Sequence, residues 1–371
     1  MNSLQRFSEK LLARQQNESL RTLQISQGGI DFFSNDYLGL ARNAKLSEKI
    51  KENYEKYAFL GNGSTGSRLL SGNNVYVEEI ETKLANIFAG EAALLFNSGY
   101  AANSALLATV TQKGDTIIYD SLIHASLHEG CRLSFANAWA FKHNDLAELE
   151  KKLQLAKGHK FVVIESIYSM DGDVALLPEI LAICKQYDAY LLVDEAHSTG
   201  IYGKNGNGLC CAWGIEKEVF ARIYTFGKAV GVYGACVVGS QILKDYLVNF
   251  AKGFIYTTAL PTHNVVSIAT AFDFIAQNPQ FSNKLIENSR YFDELQGQKI
   301  DFHTSIKIIK VAGNNACKIL AKQLIEAGFE VRPIVAPTVA VGEERIRICL
   351  HSYNTEQEIK NLVETVQKFT T

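Results

Sequence analysis

Proline is scarce in this chain, with five in 371 residues, which excludes a proline-rich linker or recognition arm. Neither sign of charge dominates: 37 Lys and Arg stand against 39 Asp and Glu, a net charge of -2. That balance argues against a nucleic-acid binder and leaves any anion site to local geometry. No apolar run is long enough for a membrane span, and the first residues lack the apolar stretch of a secretory leader, so a cytoplasmic location is expected. The seven cysteines show no CxxC or metal-ligand spacing, and their odd number fits free thiols in a reducing compartment. No metal site is expected. Apolar material, by contrast, is plentiful. With 47% hydrophobic and 20% charged residues the chain can fill a large core, and its length implies two lobes.

Apolar periodicity sets out the elements. Leu4, Phe7 and Leu11 recur at helical spacing and predict an amphipathic N-terminal helix. Leu46, Ile50, Tyr54 and Tyr57 mark a second helix, and Val75, Ile80, Leu84 and Ile87 one face of a third. Between the second and third lies Gly61–Arg68, which contains GxGxxG. A helix rather than a strand precedes it, and Ser67-Arg68 stands where a phosphate loop needs Lys-Ser/Thr, so both nucleotide motifs are rejected. From Asn74 onward, strand-like runs at Leu94–Phe96, Thr116–Tyr119, Phe161–Ile164, Tyr190–Val193, Arg222–Thr225 and Ala235–Val238 alternate with helical periods. This alternation predicts an α/β fold with a mainly parallel sheet wrapped by helices. After Pro261 the texture changes to long helices and short strands. The expected division is an N-terminal helix and arm over 1–45, a large α/β domain over 46–262 and a smaller α+β domain over 263–371.

Ligands of a parallel α/β sheet bind beyond the carboxyl ends of the strands, and four of these runs end in reactive or anion-binding residues. Leu94–Phe96 leads to Asn97-Ser98-Gly99-Tyr100, where backbone N–H groups at a helix start can cradle an anion. Phe161–Ile164 leads to Glu165 and Ser169. Tyr190–Val193 ends in Asp194, followed by Glu195-Ala196-His197. Arg222–Tyr224 ends in Thr225, and Lys228 follows between Gly227 and Gly231. A lysine among small residues near buried strand ends is costly as a cation and nucleophilic as an amine. Lysine, carboxylate and phosphate cradle together are what pyridoxal phosphate requires: a Schiff-base amine, a partner for the pyridine nitrogen and a phosphate site. His124 is a candidate to stack on the ring.

These residues resemble the α-oxoamine synthase family of fold-type-I pyridoxal-phosphate enzymes over nearly the whole chain. The markers are Ser34–Gly39, Gly63–Arg68, Ser98–Asn103, His124-Ala125-Ser126, His143-Asn144-Asp145, Ser169–Asp173, Asp194–Gly200, Thr225–Lys228 and Pro337-Thr338-Val339. The resemblance implies that Lys228 bonds the cofactor and moves the proton at the substrate Cα. It implies that Asp194 pairs with the pyridine nitrogen, that His197 contacts the ring hydroxyl oxygen and that His124 stacks on the ring. Gly99, Tyr100 and Thr225 would hold the phosphate, with Thr257 and Thr258 contributed from the second subunit of a homodimer. Arg345 would fork onto the amino-acid carboxylate, while Arg347 would be structural. Ser169, Asn35 and Arg21 match positions near cofactor or substrate.

The implied reaction is a decarboxylative condensation of L-alanine with an acyl thioester, a pimeloyl group on coenzyme A or a carrier protein, with glycine or serine chemistry as the sister alternative. Val335 and Ala340 stand where the family often carries Arg and Pro, near where acyl chains are shaped. The letters Asp194-Glu195-Ala196-His197 also occur in nucleotide-driven motors, but those need a phosphate-loop lysine that this chain lacks.

Overall fold

The computed structural model describes residues 3–26 and 28–370. The described residues pack into two compact units, one formed by residues 38–169 and 173–283, the other by the rest. The division differs from the boundaries expected above at both ends of the chain. Helix Thr262–Gln277 falls in the large unit because eleven of its sixteen residues are buried there. Its Phe272 ring meets Phe88 and Phe226 edge-on, each at 5.4 Å. The stretch up to Tyr37 groups with the C-terminal residues because β1 (Ile30–Asp31) pairs in parallel with β10 (Phe329–Glu330).

In the large unit, β2 (Ala92–Phe96), β3 (Thr116–Asp120), β4 (Asn137–Phe141), β5 (Lys160–Glu165), β6 (Ala189–Asp194), β7 (Ala221–Thr225) and β8 (Ala235–Gly239) form one sheet of order β2-β8-β7-β6-β5-β3-β4. Only β8 runs antiparallel to its neighbours, so the carboxyl ends of β2, β5, β6 and β7 share one edge. The near-continuous Val, Ile, Leu and Ala runs suit strands covered on both faces by helices. β4 is the exception, a half-exposed edge strand whose Asn-Ala-Trp-Ala-Phe has none of the Val, Ile or Thr that mark most of the other strands. In helix Val75–Ile87 the buried face is carried by Val77, Ile80 and Leu84, while Val75 is 73% exposed.

The other unit contains a three-stranded antiparallel sheet, β11 (Arg332–Ile334), β12 (Arg345–Cys349) and β9 (Ile306–Lys310), with β12 in the middle. Helices Asn314–Glu326 and Glu356–Thr370 belong to it. Helix Ser3–Gln16 forms as expected but buries no residue in this chain. All seven cysteines are free thiols. Among the described residues no helix is long and apolar enough to cross a membrane.

A buried polar cluster fixes the loop after β5. Asp120 ends β3 with no exposure. Its carboxylate accepts from the His143 ring at 3.0 and 3.1 Å and from the Asn144 N–H at 3.0 Å. The other ring nitrogen of His143 lies 2.5 Å from Asp173, and Tyr168 packs edge-on against the imidazole. Asp173 in turn accepts the Tyr168 backbone N–H at 3.0 Å, so His143 clamps the residues that flank Ser169. Burial pulls the His143 pKa down, but hydrogen bonds and charge from Asp120 and Asp173 outweigh it and lift it to about 10. A histidine raised in the folded state stabilises fully below its unfolded value of about 6.5 and loses that contribution as pH climbs through the folded one. His143→Gln should therefore lower Tm most near pH 6, with the difference from the parent closing by about pH 10. Melting curves across that range check this; a gap independent of pH would assign His143 a packing role only.

Candidate active site

Asp194, the last residue of β6, is 3% exposed. An unpaired carboxylate there would be costly, and this one is held from two sides. Its Oδ2 accepts from the Asn103 amide at 2.7 Å and its Oδ1 from the Ala196 N–H at 2.9 Å. Asn103 stands in helix Gly99–Val110, which starts where β2 ends. The second N–H of that amide donates to Ser126 Oγ at 2.9 Å. Ser126 lies at the start of helix Ala125–Leu133, capped by His124, whose Nδ1 accepts the Ser126 N–H at 3.2 Å. The His124 ring is exposed on its open side. Its pKa is lowered, chiefly by partial burial, with Lys228 and His128 pushing the same way and Asp194 opposing.

Lys228 lies in the loop joining β7 to antiparallel β8. Backbone bonds from Phe226 N to Gly234 O, Val232 N to Phe226 O and Gly231 N to Lys228 O, all 2.9–3.0 Å, close that loop. Gly231 has φ +72°, and a Cβ there would come within 2.4 Å of the Ala41 nitrogen, so the turn requires glycine. Lys228 is half-buried, and its Nζ lies 2.9 Å from Nε2 of buried His197. Beside them Glu165 ends β5 in direct register with Asp194. It is 1% exposed, and burial, followed by the charge of Asp194, pushes its carboxyl well above the usual range.

The remaining features define an anion cradle. Ser98 caps helix Gly99–Val110 by accepting the Ala101 N–H at 3.2 Å, leaving the first-turn N–H groups of Gly99 and Tyr100 outside the helical ladder. A Cβ on Gly99 would approach Thr225 Cγ2 to 2.3 Å. Thr225 Oγ1 is buried without a hydrogen-bond partner. Thr257 and Thr258, expected to come from a second subunit, are in this chain tied to Asn97, whose amide donates to Thr257 Oγ1 at 3.0 Å and to the Thr258 carbonyl at 2.9 Å. An orphaned hydroxyl beside a helix start kept open by glycine, an amine three residues beyond the end of β7, a buried carboxylate and an exposed imidazole together fit pyridoxal phosphate. Among the described residues no group of three or more His, Cys, Asp or Glu could hold a metal ion.

In the other unit the two arginines of β12 have different partners. Arg345, expected to fork onto a substrate carboxylate, is 4% exposed. Its guanidinium is engaged by Asp171, by Glu343 Oε2 at 3.4 Å and by the Glu343 carbonyl at 2.8 Å. Arg347, expected to be structural, reaches Asn35 Oδ1 at 3.1 Å and the Tyr37 hydroxyl at 3.3 Å. Arg21 is exposed and donates to Thr338 Oγ1 at 3.0 Å. Thus Asn35 sits beside Arg347, not Arg345. Sequence reasoning gave no role to Asn103, Ser126 or Glu165. The available signal was one asparagine inside the otherwise small and apolar helix Gly99–Val110.

A family model described as aminotransferase class I and II matches residues 27–366. An 8-amino-7-oxononanoate synthase from Emericella nidulans is 37% identical, with 96% of this chain and 93% of that protein aligned. A solved 8-amino-7-oxononanoate synthase from Francisella tularensis superposes with TM-score 0.80 and 29% identity, covering 93% of this chain and 98% of that one. A serine palmitoyltransferase from S. paucimobilis, solved with a bound PLP–myriocin aldimine, gives TM-score 0.89 and 26% identity over 100% of this chain and 98% of that one. The chain belongs to the aminotransferase class I and II family, as a pyridoxal-phosphate-dependent acyltransferase of the α-oxoamine synthase type.

Proposed function

We propose that the enzyme condenses L-alanine with a pimeloyl thioester, on coenzyme A or a carrier protein, to give 8-amino-7-oxononanoate, carbon dioxide and free thiol, a step of biotin biosynthesis. The observation that carries this reading is the 2.9 Å Lys228–His197 contact on the strand edge that bears Asp194, in a chain 37% identical to an oxononanoate synthase over 96% of its length.

Bound pyridoxal phosphate supplies the electron sink for charge developing at the alanine Cα. Lys228 is the base that takes the Cα proton and returns one later. Its half-burial limits competing hydration. His197, in hydrogen-bonding distance of Lys228 Nζ, and Ser169 hold the ring oxygen. Asp194 keeps a proton on the ring nitrogen. The His124 ring covers one face. Gly99 and Tyr100 N–H groups and the Thr225 hydroxyl bind phosphate, joined by Thr257 and Thr258 of a second copy in a homodimer. Carbon–carbon bond formation at Cα expels the thiol, and the former alanine carboxylate leaves as carbon dioxide.

For that carboxylate before its loss, the partners on β12 favour Arg347. Arg345 already faces two acidic side chains, and displacing Asp171 would strand a charge. Arg347 stands with Asn35, and an arginine and an amide together suit a planar carboxylate.

A sister reaction with serine or glycine is the second reading, favoured by the TM-score of 0.89 with serine palmitoyltransferase. Thiol release from a panel of acyl thioesters crossed with L-alanine, glycine and L-serine separates the two. Turnover confined to L-alanine with the pimeloyl thioester is expected; preference for serine with a long acyl chain would move the enzyme to the sister reaction.

Borohydride reduction and digestion should place the cofactor on Lys228. Lys228→Ala should lose that labelled peptide and about 10²–10⁴-fold in kcat; a label elsewhere defeats the assignment. Arg347→Ala should raise the amino-acid KM about 10- to 100-fold with little change in the thioester KM, while Arg345→Ala should act mainly on Tm. The reverse pattern would return the carboxylate to Arg345.

A further inference from the structure

We propose that Ser126, oriented by Asn103, is a positioning residue that holds the His124 ring as its Nε2–H tautomer. The assignment follows from which groups can only donate. The Ser126 backbone N–H points at His124 Nδ1 from 3.2 Å, and an amide N–H has no lone pair to offer in return. Nδ1 must therefore accept, which places the proton of the neutral imidazole on Nε2.

The Ser126 hydroxyl is compatible with this tautomer. Its oxygen lies 2.7 Å from Nδ1 and also 2.9 Å from the Asn103 amide nitrogen. Asn103 donates to it, so the single hydroxyl proton is free to point at Nδ1. The orientation of Asn103 is fixed in turn by Asp194, whose carboxylate takes the other amide N–H at 2.7 Å. A reversed amide would set oxygen against oxygen there. Both N–H bonds of Asn103 are thus used, and its carbonyl oxygen is left buried without a partner. That uncompensated atom shows that the two donations, not the satisfaction of the amide as a whole, set this orientation.

A chain of three hydrogen bonds therefore runs from Asp194 through Asn103 and Ser126 to His124. It makes the position of the imidazole proton depend on the carboxylate assigned to the cofactor nitrogen. His124 presents a donor, not a lone pair, on the side away from Ser126, so it can hydrogen-bond an oxygen of a reactant but cannot take a proton at Nε2. Protonation would have to occur at Nδ1, where two donors already point. The charged and titratable neighbours are His128 on the same helix, Asp194 on β6, Glu165 on β5 and Lys228 after β7. Of these Lys228 and His128 add to the lowering of the ring's pKa and Asp194 opposes it. The inference rests on His124 belonging to the cofactor site and is indifferent to the acyl group.

The test is long-range proton–nitrogen NMR on the full chain labelled with ¹⁵N-histidine, with and without pyridoxal phosphate, using His124→Asn to assign the ring. The expected wild-type signal is Nε2–H, with a titration midpoint below the ordinary value of about 6.5. Ser126→Ala should raise the midpoint by about 0.5–1 pH unit, Ser126→Thr should restore it, and the acid limb of kcat/KM should move in parallel. Ser126→Cys, similar in size but a weaker donor, should give an intermediate shift should the alanine variant fail to fold. An Nδ1–H signal in the wild type, or a midpoint unmoved in both the alanine and cysteine variants, overturns the proposal. Because the signal is read in cofactor-free protein as well, its failure is distinguishable from an error in the assigned reaction.

Discussion

The large unit is built around one buried carboxylate. Asp194 lies at the end of a central strand, where water cannot solvate it, and holding a charge there requires dedicated donors. The fold supplies an asparagine side chain from one neighbouring helix and a backbone N–H from its own loop. Glu165, its register partner on β5, is a second carboxyl in the same place. Two adjacent buried carboxylates cannot both ionise cheaply, and Glu165 is pushed up first by its burial and then by the charge of Asp194. Asp194, so held, is the carboxylate proposed to face a protonated ring nitrogen, which is the electrostatic requirement of an electron-sink cofactor.

Around that charge the sheet does the positioning. Parallel strands end on one edge, so residues far apart in sequence converge without long loops. The same geometry explains why so much of the site was legible in the sequence. Lys228, Asp194 and His197 each follow a short Val/Ile/Leu/Ala-rich run, and knowing that the runs are parallel is enough to bring their ends together. Six of the seven strands of the large sheet were read from their apolar runs.

The misreadings have physical causes as well. β4 lies at the sheet edge and is half exposed, and without the β-branched residues of the central strands its short run does not stand out from the loops around it. Val75 matches helical spacing, yet Val77 takes the inward place, because helix Val75–Ile87 starts at its Asn74 cap and the face it buries is set by packing rather than by the longest periodic match. Helix Thr262–Gln277 follows a proline and a change of texture, but packing against Phe88 and Phe226 groups it with the large unit. On β12, Arg345 and Arg347 stand two residues apart and so share a strand face, and alternation cannot tell their roles apart. Which partner each found depended on Asp171 and Asn35, far away in sequence and invisible to any local rule.

The loop that carries Lys228 has a consequence for the order of assembly. Asp194 and Glu165 reach their places only when strands separated by whole helices pair, which demands the closure of long loops. Lys228 is set by a hairpin whose two strands adjoin in sequence and whose turn is closed by three backbone bonds of its own. Local contacts of that kind form quickly. Lys228, the amine proposed to bond the cofactor, is thus carried by the one pair of neighbouring strands in the large sheet that is joined without an intervening helix.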